Sequence, residues 1–286
     1  MDILAPAPPS ASSPAPFEVQ ATAPPAAGTL ERWAYDYVVG TDLAAKLAPP
    51  PAPRALEASP SARRLAQPGR PAALAARGRP RKTPSAEALR SPSRRAELMH
   101  TFLHHELQAA ELFCWAILAF PETPAAFRRG LARLALDEAR HMRLYAAYLA
   151  SLGHAVGDFP VHDWFWERIP AAPDAPSFAA VMGLGFEAAN LDHTARFAER
   201  FRAAGDEAGA ALVEQVGREE IGHVRFAQRW FARFTGGLAF PAWRAALPPP
   251  LSPLLFRGRP IAREARLRAG LDAPFVDALE AWTPEW

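Results

Sequence analysis

Proline is distributed unevenly along this chain of 286 residues, and its distribution limits where long helices can form. Of the 31 prolines, 17 lie in residues 1–92 and only six lie in residues 93–233. A proline inside a helix costs about 3 kcal/mol, because it removes a backbone donor and clashes with the preceding turn. The first stretch is therefore predicted to be mostly extended, whereas the second can hold long helices.

Four long helical segments are predicted in the proline-poor region. Segments A to D cover about 93–120, 124–152, 176–204 and 206–234. Thr123 is predicted as the N-cap of segment B, with Pro124 at its first helical position. The short A–B and C–D connections require antiparallel hairpins, and the B–C connection is long. Two hairpins joined by one long crossover predict an all-α, ferritin-like four-helix bundle.

The same pattern predicts how the chain is organised. We expect a disordered tail, an N-terminal helical arm with a basic Pro/Arg linker, the bundle, and a C-terminal extension packed on it. These parts are predicted at residues 1–27, 28–92, 93–236 and 237–286. Short helices are expected within 30–47, as a pair, and within 261–269.

Composition excludes several classes of protein. The single cysteine, Cys114, excludes an intrachain disulfide and favours a reducing compartment. The longest apolar run, residues 112–120, is far shorter than the roughly 20 residues of a membrane helix. The N-terminus also lacks the cationic start and apolar core of a signal peptide. We therefore expect a cytoplasmic protein without a membrane segment.

The charge pattern gives little support for a nucleic-acid partner. The formal net charge is only +2. Residues 60–95 are locally basic, with ten Arg or Lys and the single acid Glu87. An arm for a polyanion is one interpretation, but the segment has no interleaved aromatic residues. We favour a solvated linker draped over the domain, and nucleic acid is not expected as a partner.

One short motif occurs twice. Residues 137–143 read DEARHMR and residues 219–225 read EEIGHVR, so both follow the pattern acid-Glu-x-x-His-x-Arg at an offset of 82 residues. A third Glu-x-x-His, at residues 97–100, has no duplicated partner and is not assigned to a site. The matched register indicates an internal duplication.

Each predicted hairpin also carries an upstream glutamate. Glu106 precedes the first motif glutamate by 32 residues, and Glu187 precedes the second by 33. At 100° per residue, all four glutamates lie within the apolar stripe of their helix, and each motif histidine lies on the same face. The side chains predicted to point into one core are Glu106, Glu138, His141, Glu187, Glu220 and His223.

Burying four carboxylates requires positive charge between them, since each costs several kcal/mol when uncompensated. The core-facing stripes contain no Arg or Lys, whereas two divalent metal ions would supply that charge. Surface salt bridges on amphipathic helices are the alternative, but the stripe positions argue against them. A single structural zinc ion needs fewer ligands than converge here.

The pattern Glu, Glu-x-x-His, Glu, Glu-x-x-His resembles the ferritin-like di-iron carboxylate superfamily. The segments HHELQAAELFCWAILAFPETP, LDEARHMRLY and EEIGHVRFAQRWF are similar to those of a bacterial ferritin-like family of unknown function. The likeness extends to ERWAYDYVV, QPGRP and REARLRAGL, and so covers about residues 29–281. A more distant likeness, in the metal pattern alone, is to tRNA-hydroxylating di-iron monooxygenases.

This resemblance implies that the six core side chains are the ligands of two iron ions, with a Mn/Fe pair as the alternative. Glu138 and Glu220 are the implied bridging pair. Glu111 and Asp192 are interpreted either as acceptors for the imidazole N–H groups or as ion-pair partners of Arg143 and Arg225.

Tyr145 lies one turn beyond His141 and is interpreted as a redox-active or oxygen-gating residue, or as core packing. An aromatic cluster at 164–166 is expected to cover the bundle as a lid or as packing.

Three functions remain open from the sequence. The first is an O2-dependent oxidoreductase that oxidises or hydroxylates a small organic molecule. It would need an electron-donor protein, because no flavin or nicotinamide fingerprint is present. The second is a non-enzymatic iron-binding or ferroxidase protein. The third is an interaction scaffold that the metal stabilises.

Overall fold

A computed structural model of the chain describes residues 23–76 and 84–284. All regular secondary structure in these two ranges is helical. The long helical stretches are α3 (Pro92–Ala119), α4 (Ala125–Ser151), a composite stretch at 175–203 and α7 (Glu207–Thr235). Their bounds agree with the four predicted segments to within one residue. Most of the predicted tail and part of the basic linker lie outside the described residues.

The helix ends follow local capping chemistry, with one correction. The Asp206 side chain accepts a hydrogen bond from the backbone N–H of Gly209 and starts α7, which ends at Gly236 with φ +82°. The sequence analysis predicted Thr123 as the N-cap of α4, but Pro124 occupies that position. The Thr123 hydroxyl instead donates to the carbonyl of Phe120 and closes the turn between α3 and α4.

The composite stretch contains a π-helix, which the sequence pattern did not predict. It begins as α5 (Ala175–Phe178), continues as nine π-helical residues (Ala179–Glu187) and ends as α6 (Ala188–Ala203). Pi-helical turns inside α-helices are rare and frequently lie at functional sites. Glu187 is the last residue of this π segment.

The long helices form two packed hairpins. Helix α3 packs against α4, and α6 packs against α7. The two hairpins meet through contacts of α4 with α7. The connection between them, residues 152–174, is long, as predicted. Because α4 and α7 face each other, the side chains of the two duplicated motifs meet in the core.

Shorter helices lie on both sides of the hairpins. The predicted pair within 30–47 is confirmed as α1 (Leu30–Val39) and α2 (Leu43–Leu47), which contact α3 and α4. After α7 follow α8 (Phe240–Ala245), α9 (Arg263–Arg268) and α10 (Ala273–Ala281). Helix α9 lies within the predicted 261–269 and packs against α6 and α7. None of the helices in the described ranges has the length and apolar character needed to cross a membrane.

The basic linker is bonded to the domain rather than solvated along its whole length. Arg70 is nearly buried and contacts Glu111 and Asp163 at 3.0 and 2.9 Å. Arg64 donates to the carbonyl of Ala172 at 2.9 Å. The prediction of a draped segment therefore holds for these residues, but the prediction that its arginines face solvent does not. Residues 77–83 lie outside the described residues.

Candidate metal centre

Six predicted side chains meet in the core between the hairpins. Helix α3 contributes Glu106, the π segment contributes Glu187, and α4 and α7 each contribute one Glu-x-x-His pair. None of the six is more than 6% exposed to solvent. The full set is Glu106, Glu138, His141, Glu187, Glu220 and His223.

The six side chains divide into two groups that share two carboxylates. Glu106 and His141 join Glu138 and Glu220 in one group, and in the other Glu187 and His223 join the same two glutamates. Within each group, one potential ligand atom per residue lies within 4.8 Å of all the others. This buried carboxylate and imidazole cluster could therefore hold a metal ion.

Buried atoms of the cluster that lack a hydrogen-bond partner test whether these residues fit a metal ion. The Nδ1 atom of His223 lies 2.9 Å from Oε1 of Glu138 and 2.9 Å from Oε2 of Glu220. All three atoms are buried, and none of them makes a hydrogen bond. Buried polar atoms without a partner are rare in proteins because each costs about 1–3 kcal/mol. Their convergence is what a shared cation requires of its ligands.

The electrostatics of the cluster lead to the same conclusion. Burial, reinforced by the negative charge of Glu138, raises the pKa of Glu106 well above its usual value. Burial and the charge of Glu220 do the same to the pKa of Glu187. A cation between these carboxylates would favour their ionised forms and oppose both shifts.

Each imidazole faces a carboxylate that the sequence analysis did not assign. Nδ1 of His141 faces the cluster, and its Nε2 lies 2.8 Å from Oε2 of Glu219. On the other side, Nε2 of His223 lies 3.6 Å from Oδ2 of Asp137. Each carboxylate precedes the motif glutamate of one helix and contacts the histidine of the other. The signal was present in the sequence, as the acid that opens both copies of the motif.

Glu219 is held as an anion in this position. Burial alone would raise its pKa, but hydrogen bonds from Arg140 and His141 outweigh burial and lower the pKa to about 2. The Arg140 guanidinium lies 2.5 Å from the same carboxylate oxygen that faces His141. A fixed carboxylate of this kind holds the imidazole ring in one orientation.

Glu111 and Asp192 occupy other positions than predicted. Glu111 forms ion pairs with Lys46 at 2.8 Å and with Arg70 at 3.0 Å, and accepts a hydrogen bond from the indole of Trp166. Asp192 accepts two hydrogen bonds from the guanidinium of Arg266, at 3.0 and 2.7 Å. Both proposed roles, as imidazole acceptors or as partners of Arg143 and Arg225, are therefore wrong. Instead, the two carboxylates bind the segments before and after the hairpins.

A cavity of about 480 Å³ opens beside the cluster. Glu106 and Glu187, the two carboxylates that belong to only one ligand group each, line its inner end. Its size lies within the range of small-molecule sites, about 300–1,000 Å³. The cluster is therefore accessible to a small organic molecule from one side.

Tyr145 and the aromatic connection belong to this cavity. The buried ring of Tyr145 lines it together with Glu106, and its centroid lies 6.0 Å from that of Phe102. Burial, reinforced by the charge of Glu106, raises the pKa of Tyr145, so its phenol stays protonated. Trp164 and Phe165 form part of the cavity wall, whereas Trp166 is buried and bonded to Glu111. Of the aromatic cluster expected to cover the bundle, two residues therefore line the cavity and the third packs in the core.

Comparison with known proteins places the chain in a family. No solved structure matches it. An uncharacterized protein of Haemophilus influenzae is 30% identical over 144 residues, which are 48% of this chain and 50% of that protein. The match thus spans about half the length of this curated relative. A family model matches residues 29–277, and the chain therefore belongs to the family described as "Protein of unknown function (DUF455)".

Proposed function

We propose that the cluster binds two metal ions and that the protein is an O2-dependent oxidoreductase acting on an organic molecule in the adjoining cavity. The observation that carries the proposal is the pair of ligand groups with Glu138 and Glu220 in common, opening onto the cavity at Glu106 and Glu187. Each group offers three carboxylates and one imidazole. A ferritin-like arrangement of the two hairpins belongs to the same proposal.

The donor set favours iron, with a Mn/Fe pair as the alternative. Carboxylate-rich sites with one imidazole per ion suit iron and manganese, whereas zinc and copper favour sulfur or additional nitrogen ligands. Glu106, Glu138, His141 and Glu220 would hold one ion, and Glu138, Glu187, Glu220 and His223 would hold the other. Iron held in this way supplies the redox chemistry by which O2 is activated.

The chain's own residues position and shield the reactants. Glu219 holds the imidazole of His141 at 2.8 Å, and Asp137 lies 3.6 Å from that of His223. Aromatic rings form part of the cavity wall. In the hydroxylation R–H + O2 + two electrons + two protons → R–OH + H2O, a reduced electron-carrier protein supplies the electrons. Tyr145 lies next to the reacting end and can hold a proton or pass an electron there.

Iron storage or ferroxidase activity is the second candidate, and a metal-stabilised scaffold is the third. Neither function requires a cavity of this size at the two carboxylates that are not shared. The cavity therefore favours an organic substrate over iron itself as the molecule that is oxidised.

The test is the reaction of the Fe(II)-loaded protein with O2. We expect rapid O2 consumption and a near-ultraviolet absorption band of ferric iron, retained by the protein without release or growth of a mineral. The Tyr145→Phe variant should bind the same amount of iron but change the rate of the reaction. Failure of the loaded wild-type protein to react with O2 would contradict the proposal, and continued uptake of iron beyond the six-ligand site would favour storage.

A further inference from the structure

The cavity extends from the carboxylate cluster towards a second end with the opposite charge. Glu187 and Arg196 both line it. Glu187 ends the π segment and Arg196 lies nine residues further on, in α6. At a rise of about 1.5 Å per residue, nine residues correspond to about 13 Å along the helix. Glu97 and Glu106, which also line the cavity, have the same separation along α3.

Arg196 brings a positive charge without an ion-pair partner to the end of the cavity away from the cluster. Its Nη2 donates to Nδ1 of His193 at 3.0 Å, and its Nε is buried without a hydrogen-bond partner. Burial, reinforced by Arg196, lowers the pKa of His193 to about 4, so this ring is neutral at pH 7 and accepts the bond. Within 23–76 and 84–284, no carboxylate lies within ion-pair distance of Arg196.

Neighbouring arginines differ in whether their charge is balanced. Arg200, one turn beyond Arg196, donates to the carbonyl of Pro84 and has no carboxylate partner among the described residues. Arg94 also lines the cavity, but it forms an ion pair with Glu97 at 2.6 Å. Among the described residues that line the cavity, the arginine without a carboxylate partner is therefore Arg196.

Aromatic rings line the space between the two ends. The rings of Phe102 and Phe197 meet edge to face with centroids 5.0 Å apart, and Phe165 and Phe186 lie 4.8 Å apart. All four line the cavity. Such rings pack against a flat apolar body.

We propose that the cavity binds an elongated amphipathic anion, with its anionic group at Arg196 and a flat apolar body between the phenylalanine rings. The end that reacts lies at Glu106 and Glu187, a part of this inference that rests on the proposed function. Anion binding at Arg196 does not depend on metal and can be measured separately. A guanidinium favours carboxylate and phosphate groups because it donates to both oxygens at once.

Calorimetric titration of the full chain, without added metal, tests the anionic end with matched probes. The probes are 4′-methylbiphenyl-4-carboxylate and its neutral carboxamide. We expect the carboxylate to bind at least about tenfold more tightly, because a guanidinium binds an anionic acceptor more strongly than a neutral amide. Arg196→Gln should bring the two affinities to within about twofold by weakening the carboxylate alone. Arg229→Gln, at an exposed position of α7, should leave the preference unchanged.

Two further titrations distinguish a specific loss of anion binding from a folding defect. Arg196→Lys should restore part of the preference for the carboxylate, because it keeps the charge. The shorter 4-methylbenzoate should bind the wild-type protein more weakly than the biphenyl probe, because it cannot fill the length of the cavity. Equal affinity of the wild-type protein for carboxylate and carboxamide would overturn the inference, as would equal weakening of both probes by Arg196→Gln. A protein that shows the preference but no reaction of its iron with O2 would contradict the proposed function alone.

Discussion

At the scale of single residues, the centre depends most on Glu138 and Glu220, because each belongs to both ligand groups. Both side chains are fully buried, and each keeps one oxygen without a hydrogen bond. A ligand outside this pair, such as Glu106, contributes to one group only. Loss of a shared carboxylate should therefore affect both ions, whereas loss of Glu106 should affect one.

The first prediction compares two glutamates of the same Glu-x-x-His spacing. Glu138→Gln should abolish binding of both ions, because the amide neither carries the charge nor bridges through two oxygens. Glu97→Gln, in the third copy of the motif, should retain the metal content of the wild-type protein. Elemental analysis of both variants after anaerobic Fe(II) loading measures the difference. Equal metal content in the two variants would show that the duplicated register does not define the site.

The second prediction concerns the carboxylates behind the imidazoles. Glu219→Gln should lower metal affinity by about 10–100-fold, because His141 loses its anionic partner at 2.8 Å. Asp137→Asn should have a smaller effect, since its contact with His223 is longer, 3.6 Å. Competition with a chelator of known affinity gives both values, and the opposite order of effects would contradict this assignment of roles.

The six residues of the buried cluster could be predicted from sequence, but the partners of Glu111 and Asp192 could not. Helical periodicity places Glu106 and Glu138 in apolar stripes, and burial of charge then requires a cation. The same periodicity shows that Glu111 faces a neighbouring element without showing which one. Its partners Lys46 and Arg70 come from a segment whose path over the hairpins has no periodic signal.

At the scale of elements, the π segment Ala179–Glu187 determines where Glu187 lies. Helical periodicity of 3.6 residues predicted one continuous α-helix here, and the wider π turns change the direction of the residues that follow. Gly183 allows this segment to approach α7 closely, since a Cβ at this position would lie 2.1 Å from Cβ of Ala227. Contact with α7 thus helps to place Glu187 in the cluster.

The third prediction is that Gly183→Ala destabilises the protein by about 1–3 kcal/mol, the usual cost of overpacking a core. The clash should also push the π segment away from α7. Metal affinity of the group that contains Glu187 should therefore fall. Gly222→Ala is the matched control, because its position on α7 is exposed and has no atom within 4 Å of the added Cβ. That control should stabilise the protein by about 0.5–1 kcal/mol.

Denaturant unfolding and metal titration of both glycine variants measure these effects. A Gly183→Ala variant with the stability and metal affinity of the wild-type protein would show that the close approach of the π segment to α7 is not required.

At the scale of the whole molecule, buried ion pairs attach both flanking segments to corresponding places on the two hairpins. Glu111 lies five residues after Glu106 and binds Lys46 and Arg70 of the segment before α3. Asp192 lies five residues after Glu187 and binds Arg266 of α9. The duplication thus includes a carboxylate that receives a cation from outside the hairpins, in addition to the ligands.

The fourth prediction is that Arg266→Met destabilises the protein by about 3–5 kcal/mol, because it leaves the carboxylate of Asp192 buried and unpaired. The double variant Asp192→Asn/Arg266→Met should lose less stability than the two single variants together. Arg263→Met is the control, since the Arg263–Asp277 pair is exposed and should contribute about 0–1 kcal/mol. Strictly additive losses in the double variant, measured by urea unfolding, would contradict a direct coupling between the two side chains.

The number of metal ions per chain tests the central claim most directly. The full-length protein is loaded anaerobically with Fe(II), separated from unbound metal and analysed for iron and protein in the same sample. The two ligand groups with Glu138 and Glu220 in common predict two ions per chain, falling to one in Glu106→Gln or Glu187→Gln. A wild-type protein that binds one ion or none would contradict the dinuclear centre.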